Sequence, residues 1–263
     1  MPVTCTEMIR EIDESRFREI DYLITGCAFD SHNALGNLVR EEGHKTDMVA
    51  RAREKGLQIQ PEVQFQVRFH RFSRRYPCDL LVENSIIYEC KTTSAFHARH
   101  RTQLLNYLFL ANLRFGKLFN FALPSLEFEF VSTRHTLKDR RQIQINTHDW
   151  TPPATELPLD EFLSEILNDW GAGLSRHLYE DALLHFLGPR QIQKKEMPLY
   201  REKTILCIQP LLQFNDGSAL HITSFPHLNR SKTTNLLKLK ELTHLKQLHW
   251  INFSLPEITF RTL

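Results

Sequence analysis

The chain has 263 residues, 41% hydrophobic and 24% charged, an ordinary soluble globular balance with room for one large domain or two small ones. A net charge of +2 with 13 histidines permits nucleic-acid binding without arguing for it. Five scattered cysteines without a Cys-x-x-Cys pair read as reduced thiols, not a disulfide frame or zinc site; with no membrane-length apolar run and no signal-peptide core, they lead us to expect a cytoplasmic protein with no membrane partner.

In chain order, Met8, Ile9, Ile12 and Phe17 fall at near-helical spacing and predict a lead-in helix over residues 1–20. Residues 20–55 read as a helix pair broken around Gly36. Strands are expected near 58–70, 77–83 and 86–91. A helix over 103–112 carries Leu104, Leu105 and Leu108 on its buried stripe, and strands near 117–123 and 126–132 follow. Residues 146–158, with Trp150-Thr-Pro-Pro153, read as a linker, and a helix over 159–169 opens a second unit. This order implies an α/β sheet with helices on its faces.

The most informative run is Asp79-Leu-Leu-Val-Glu-Asn-Ser-Ile-Ile-Tyr-Glu89-Cys-Lys91. Such strands normally bury Val, Ile and Leu, so three charged side chains in them are costly unless a metal or a reaction uses them. A three-residue turn at Glu83-Asn84-Ser85 makes a hairpin symmetric about Asn84 and sets Asp79 opposite Glu89. Lys91, two residues further on, shares their face. Two adjacent carboxylates form a hard oxygen site suited to Mg²⁺ or Mn²⁺, with the Cys90 carbonyl as a further ligand. A cation there would acidify a bound water and stabilise charge on a phosphate oxygen, and Lys91 would orient that water or neutralise the developing charge. An ordinary cross-strand salt bridge uses the same spacing, so the run alone leaves both readings open. The Cys90 thiol should point to the opposite face.

The surrounding motifs are Gly26-Cys-Ala-Phe29, His32-Asn33-Ala-Leu35-Gly36-Asn-Leu-Val-Arg-Glu41, His100-Arg-Thr-Gln103-Leu-Leu-Asn106-Tyr107 and Asn120-Phe-Ala-Leu-Pro124. In this order the chain resembles, over about residues 20–132, the small bacterial GxxExxY family of the PD-(D/E)XK nuclease-like superfamily. The resemblance implies that Asp79 and Glu89 are the metal-binding acids and Lys91 the active-site lysine. It implies that Glu41 is an extra active-site acid on the first helix, and that Gln103 is the glutamine of the following helix with His100 one turn before it. Leu38 replaces the family's second glycine and His44 its tyrosine. Among the basic residues, Arg99, His100 and Arg101 are expected to meet phosphates, because they lie between Lys91 and Gln103. Arg71, Arg74, Arg75, Arg134, Lys138, Arg140 and Arg141 are further candidates, with a solvated surface as the alternative.

The same unit recurs. Gln58-Ile-Gln60 returns as Gln191-Ile-Gln193, and Asn120-Phe-Ala-Leu-Pro124 as Asn252-Phe-Ser-Leu-Pro256. Gly171-Ala-Gly173 through Tyr179 resembles the family's first helix. The second copy lacks the chemistry: Arg176 stands for the helix glutamate, and by alignment Pro210, Ile222, Ser224 and Asn235 stand for Asp79, Glu89, Lys91 and Gln103. The expectation is therefore a restriction-endonuclease-like mixed sheet flanked by helices and repeated in tandem as a pseudo-dimer. Residues 1–145 form the nuclease-like domain, 146–158 the linker and 159–263 the degenerate copy. The expected activity is hydrolysis of DNA or RNA with Mg²⁺ or Mn²⁺. The rivals are a catalytically silent module binding nucleic acid or protein, and a subunit active only in a larger assembly. A homo-oligomer stays open.

Overall fold

Asp13 starts the first long helix: its side chain accepts from the Arg16 N–H at 2.8 Å and caps α1 (Glu14–Leu35). Gly36, at φ +72°, ends it. The structure is a computed structural model that describes residues 3–255 and 257–263. Met1, Pro2 and Pro256, the last belonging to the second Leu-Pro motif, lie outside the described residues. The chain divides into two compact units, Met1–Thr136 and Leu137–Leu263.

In the first unit, α1 and α2 (Glu41–Glu54) precede β2 (Ile59–Phe69), β3 (Phe72–Val82) and β4 (Ile86–Lys91). Then come α3 (Ala98–Ala111), β5 (Phe115–Asn120) and β6 (Glu127–Ser132). With β1 (Val3–Cys5) the sheet order is β1-β2-β3-β4-β5-β6, antiparallel except for the parallel β4–β5 pair. The α3 crossover makes that parallel pair. Period-two burial puts Leu80, Val82, Ile86, Tyr88, Cys90, Phe115 and Phe119 in one core with Phe17, Ile20, Ile24 and Met48. The expected lead-in helix is corrected: residues 3–5 pair with β2 and Met8 is 73% exposed. Its apolar spacing belongs to an extended segment whose Arg10 N–H donates to Asn84.

The second unit comprises α4 (Leu137–Arg141), β7 (Gln144–Asp149), α5 (Leu159–Trp170) and α6 (Arg176–Leu187), followed by β8 (Ile192–Arg201), β9 (Thr204–Phe214), β10 (Ala219–Thr223), α7 (Arg230–Leu242), β11 (Leu248–Phe253) and β12 (Glu257–Thr262). Its sheet order is β7-β12-β11-β10-β9-β8, with the parallel pair β10–β11 again joined by a helix and a second parallel pair, β7–β12, at the edge. The linker expectation is corrected here. Residues 144–149 are a strand paired with β12, and Arg140 is buried with Nη1 donating to the Ala172 carbonyl at 2.8 Å. Loop-forming Thr151 and Pro152-Pro153 are visible locally, whereas pairing with the C-terminal strand is not. Arg140 thereby leaves the set of phosphate contacts.

Two local devices occur in both units. Asn120 receives the Thr93 N–H on Oδ1 (3.1 Å) and donates from Nδ2 to the Thr93 carbonyl (2.8 Å). Asn252 does the same with Phe225, at 2.8 and 3.0 Å. The ring of His44 stacks on Phe121 at 4.2 Å, and Tyr179 stacks on Phe253 at the same separation. The Asn-Phe motif thus ties the chain leaving one parallel strand to the end of the next. In each unit a helix-borne ring, His44 or Tyr179, covers the phenylalanine of that motif.

His249 on β11 is fully buried beside Trp150 and Phe214, and burial lowers its pKa to about 4. The unfolded chain takes up this proton near pH 6.5 and the native chain does not. Its contribution is therefore intact above pH 6.5 and is lost as pH falls towards 4, by about 3 kcal/mol. Urea denaturation of wild type and His249→Gln across this window should show the wild-type stability falling more steeply.

Candidate active site

The β3–β4 hairpin pairs Leu80 with Tyr88, Leu81 with Ile87 and Val82 with Ile86, the register symmetric about Asn84. Glu83 and Asn84 take positive φ, +50° and +55°, and the Ser85 N–H closes the turn on the Val82 carbonyl at 2.9 Å. Asp79 lies just beyond the Leu80–Tyr88 pair, at the end of this ladder away from the turn. On its other side, β2–β3 pairing passes from Pro61↔Leu80 to Val63↔Cys78 and omits Glu62 and Asp79. Glu62 has φ +53°, a left-handed conformation rare in a strand.

Where the ladder opens, side chains take over its hydrogen bonds. The Asp79 N–H donates to Glu89 Oε1 at 3.1 Å, and the Cys90 N–H donates to Asp79 Oδ2 at 2.9 Å. Each carboxylate is thus fixed by the backbone of the opposite strand. Lys91 Nζ donates to Glu89 Oε2 at 3.0 Å and lies 3.5 Å from Asp79 Oδ2. From α3, Gln103 Nε2 donates to the same Glu89 oxygen at 3.1 Å. Asp79, Glu89, Lys91 and Gln103 therefore meet at one place. Glu41, half-buried at the start of α2, lies within the field of Lys91 and Asp79; burial, and then Asp79, raise its pKa against the pull of Lys91. The Cys90 side chain faces the core and burial pushes its thiol far up, so it is no nucleophile.

Glu89 is 1% exposed. Burial, and then the Asp79 charge, push its pKa well above the usual carboxylate range, against the pull of Lys91. Burial works against the Lys91 charge, but the Glu89 and Asp79 carboxylates outweigh it and raise its pKa.

A second ammonium escaped the sequence reading. Lys45 Nζ on α2 is 3.3 Å from Asp79 Oδ1 and 3.1 Å from Glu42 Oε2, and it pairs closely with Glu62. Its side chain is 9% exposed. Burial opposes its charge, yet Glu62, Asp79 and Glu42 together raise its pKa. One helical turn separates it from Glu41, and that spacing is the signal that would have found it. Glu62 carried no such signal, because its role depends on the left-handed kink.

The expected phosphate-binding trio divides. Arg99 is exposed. His100 is buried and its Nδ1 accepts the His97 N–H at 3.2 Å; burial and the charges of Arg99 and Lys91 lower its pKa. Arg101 forms a two-pronged pair with Glu129 on β6. His100 thus serves as a helix-end brace, and Arg101 already has a carboxylate.

The donor set suits a divalent cation. Two oxygen-rich side chains converge, with Glu41, Glu42 and Glu62 nearby, so carboxylates outnumber the two lysines. Among the described residues no three His, Cys, Asp or Glu side chains already form a metal cage. Asp79 and Glu89 would hold the ion, with water and substrate oxygens completing its shell as Mg²⁺ commonly requires.

Residues 18–132, all within the first unit, match the family model of the PD-(D/E)XK nuclease superfamily. This region is similar to a superfamily of nucleases. No curated protein matches the chain.

In the second unit, His221↔Trp250 and Thr223↔Asn252 occupy the places of Glu89↔Leu118 and Lys91↔Asn120. Leu212↔Leu220 matches Leu80↔Tyr88, so Leu211 takes the place of Asp79. The expected replacements Pro210, Ile222 and Ser224 are each displaced by one residue, a slip that exchanges the faces of a strand. Neither assignment supplies a carboxylate.

Removing Lys45 leaves Asp79, Glu62 and Glu42 without their shared cation. Lys45→Met should cost about 2–4 kcal/mol in urea denaturation, below the full range for a wholly buried pair because two partners are solvated. A second outcome follows from Glu89: burial and the Asp79 charge make the native chain keep its proton to a higher pH than the unfolded chain, which loses it near 4.5. The metal-free protein should therefore lose stability as pH rises above about 4.5, and Glu89→Gln should flatten that dependence.

Proposed function

We propose that the first unit is a divalent-metal-dependent nuclease acting on DNA or RNA. The observation that carries this reading is the convergence of Asp79, Glu89 and Lys91 within 3.5 Å, where the β3 ladder opens. A cation held by Asp79 and Glu89 would acidify a bound water and take up charge on a phosphate oxygen. Lys91 holds the Glu89 carboxylate in place and presents its ammonium to the attacking water or the phosphate. Gln103 fixes the other side of Glu89, and Glu41 adds an acid at the rim. Lys45 holds the outer oxygen of Asp79. Arg99 is the member of the basic cluster best exposed to meet a phosphate.

The reading includes membership of the GxxExxY group and a tandem origin. The shared order of five strands (β2 to β6 and β8 to β12), the paired Asn120 and Asn252 bridges and the matching ring stacks support the duplication. In this view the second unit is a copy whose active site has been lost.

Labelled single- and double-stranded DNA and RNA, incubated with Mg²⁺, Mn²⁺ or EDTA, test the activity. Cleavage should require the cation and fall by roughly 100-fold or more in Asp79→Ala and Lys91→Ala. Cutting that persists equally in both variants would sink the proposal. The metal component has its own readout. At about 100 times its Kd, Mg²⁺ should stabilise the wild type by about 2.7 kcal/mol and leave Asp79→Ala nearly unchanged.

A further inference from the structure

At the opposite end of the first sheet lies a cavity of about 400 Å³ lined by Phe17, Arg18, Arg114, Phe115, Phe130 and Arg134, with Glu14, Ser132 and Thr133 at its margin. The parallel register sets Lys91 beside Asn120 at one end of β5, whereas Phe115 opens the other end. The strand between them spans about 17 Å. The cavity also lies on the α1 face of the sheet, while Gln103 reaches Glu89 from α3. It is therefore separate from the carboxylate centre.

Its construction combines two features. Phe17, Phe115 and Phe130 form one aromatic cluster, with ring centroids 4.7, 5.2 and 6.2 Å apart. Phe17 and Phe115 are buried, but Phe130 on the edge strand β6 is 48% exposed and offers a ring face. Three guanidinium groups surround the cluster, and Arg114 lies over Phe115 at 5.1 Å. Glu14 is the sole carboxylate of the lining and is paired with Arg18 at 2.6 Å. The cavity is thus aromatic at its base and cationic at its rim. The volume lies within the range that holds a small ligand.

We propose that this cavity binds a nucleotide, its base against Phe130 and its phosphate on Arg114 and Arg134. Base–aromatic stacking tolerates any base, because every base has a π-face, while guanidinium groups pair with phosphate oxygens. Free nucleotide and single-stranded nucleic acid share this chemistry. The cavity needs neither the Asp79 centre nor cleavage, so the two proposals stand or fall separately.

The test is equilibrium binding to the full chain in EDTA, with a labelled five-residue oligodeoxythymidylate and with adenosine 5′-monophosphate, alongside inorganic phosphate. Proteins would be wild type, Phe130→Ala, Phe130→Trp and Arg114→Ala/Arg134→Ala, each matched for urea midpoint. Phe130→Ala should weaken binding roughly 5- to 150-fold, and Phe130→Trp should retain it. The double arginine variant should also reduce the salt slope for the oligonucleotide by about 1.4, two phosphate contacts' worth. Binding of the monophosphate as well as the strand identifies a free-nucleotide site; binding of the strand alone identifies a nucleic-acid site. Equal binding by wild type and all variants, binding of inorganic phosphate alone, or no binding by the wild type would overturn the proposal.

Discussion

The centre of the first unit depends on one local failure of strand pairing. At Asp79, β3 is paired with neither β2 nor β4, and the freed backbone is satisfied by carboxylates. A buried carboxylate is costly in an apolar sheet. Here each has a backbone N–H from the opposite strand, and Lys91 lies against both. The same bonds that make these charges tolerable also fix their oxygens side by side, which is the arrangement a hard cation needs.

The wider network extends that logic. Glu62, turned into the left-handed region opposite Asp79, pairs with Lys45, and Lys45 carries a positive charge to the outer Asp79 oxygen. Asp79 is thus held between two lysines, one from a helix and one from a strand. Glu89 remains difficult to ionise because it is almost wholly buried beside another carboxylate. Such a buried carboxylate costs stability, and on the proposed reading that cost serves the chemistry, a common compromise at functional centres.

The second unit shows what the same sheet plan looks like without that compromise. Leu211, His221 and Thr223 replace the charged trio at equivalent positions. The Trp250 indole donates to Thr223 Oγ1 at 2.8 Å, so the position that matches Lys91 in the sheet register belongs here to a buried neutral network. The Asn bridge and the aromatic stack persist in both units because they serve the fold itself.

The sequence by itself determined the α/β order, the Asn84-centred hairpin and the grouping of Asp79, Glu89, Lys91 and Gln103. The first two, and the shared face of Asp79, Glu89 and Lys91, follow from period-two alternation and turn residues, which are local regularities; Gln103 joined the group only through the family resemblance. It also carried the recurring Asn-Phe motif, though not its hydrogen bonds. Tertiary structure decided the remainder. Residues 144–149 became a strand through pairing with the distant β12, and Met8 lost its helix because residues 3–5 pair with β2. His100 was drawn into a helix-end brace and Arg101 to Glu129, while Lys45 and Glu62 converged on Asp79 from two separate elements. Each of these outcomes joins residues far apart in the chain, and local periodicity carries no information about such contacts.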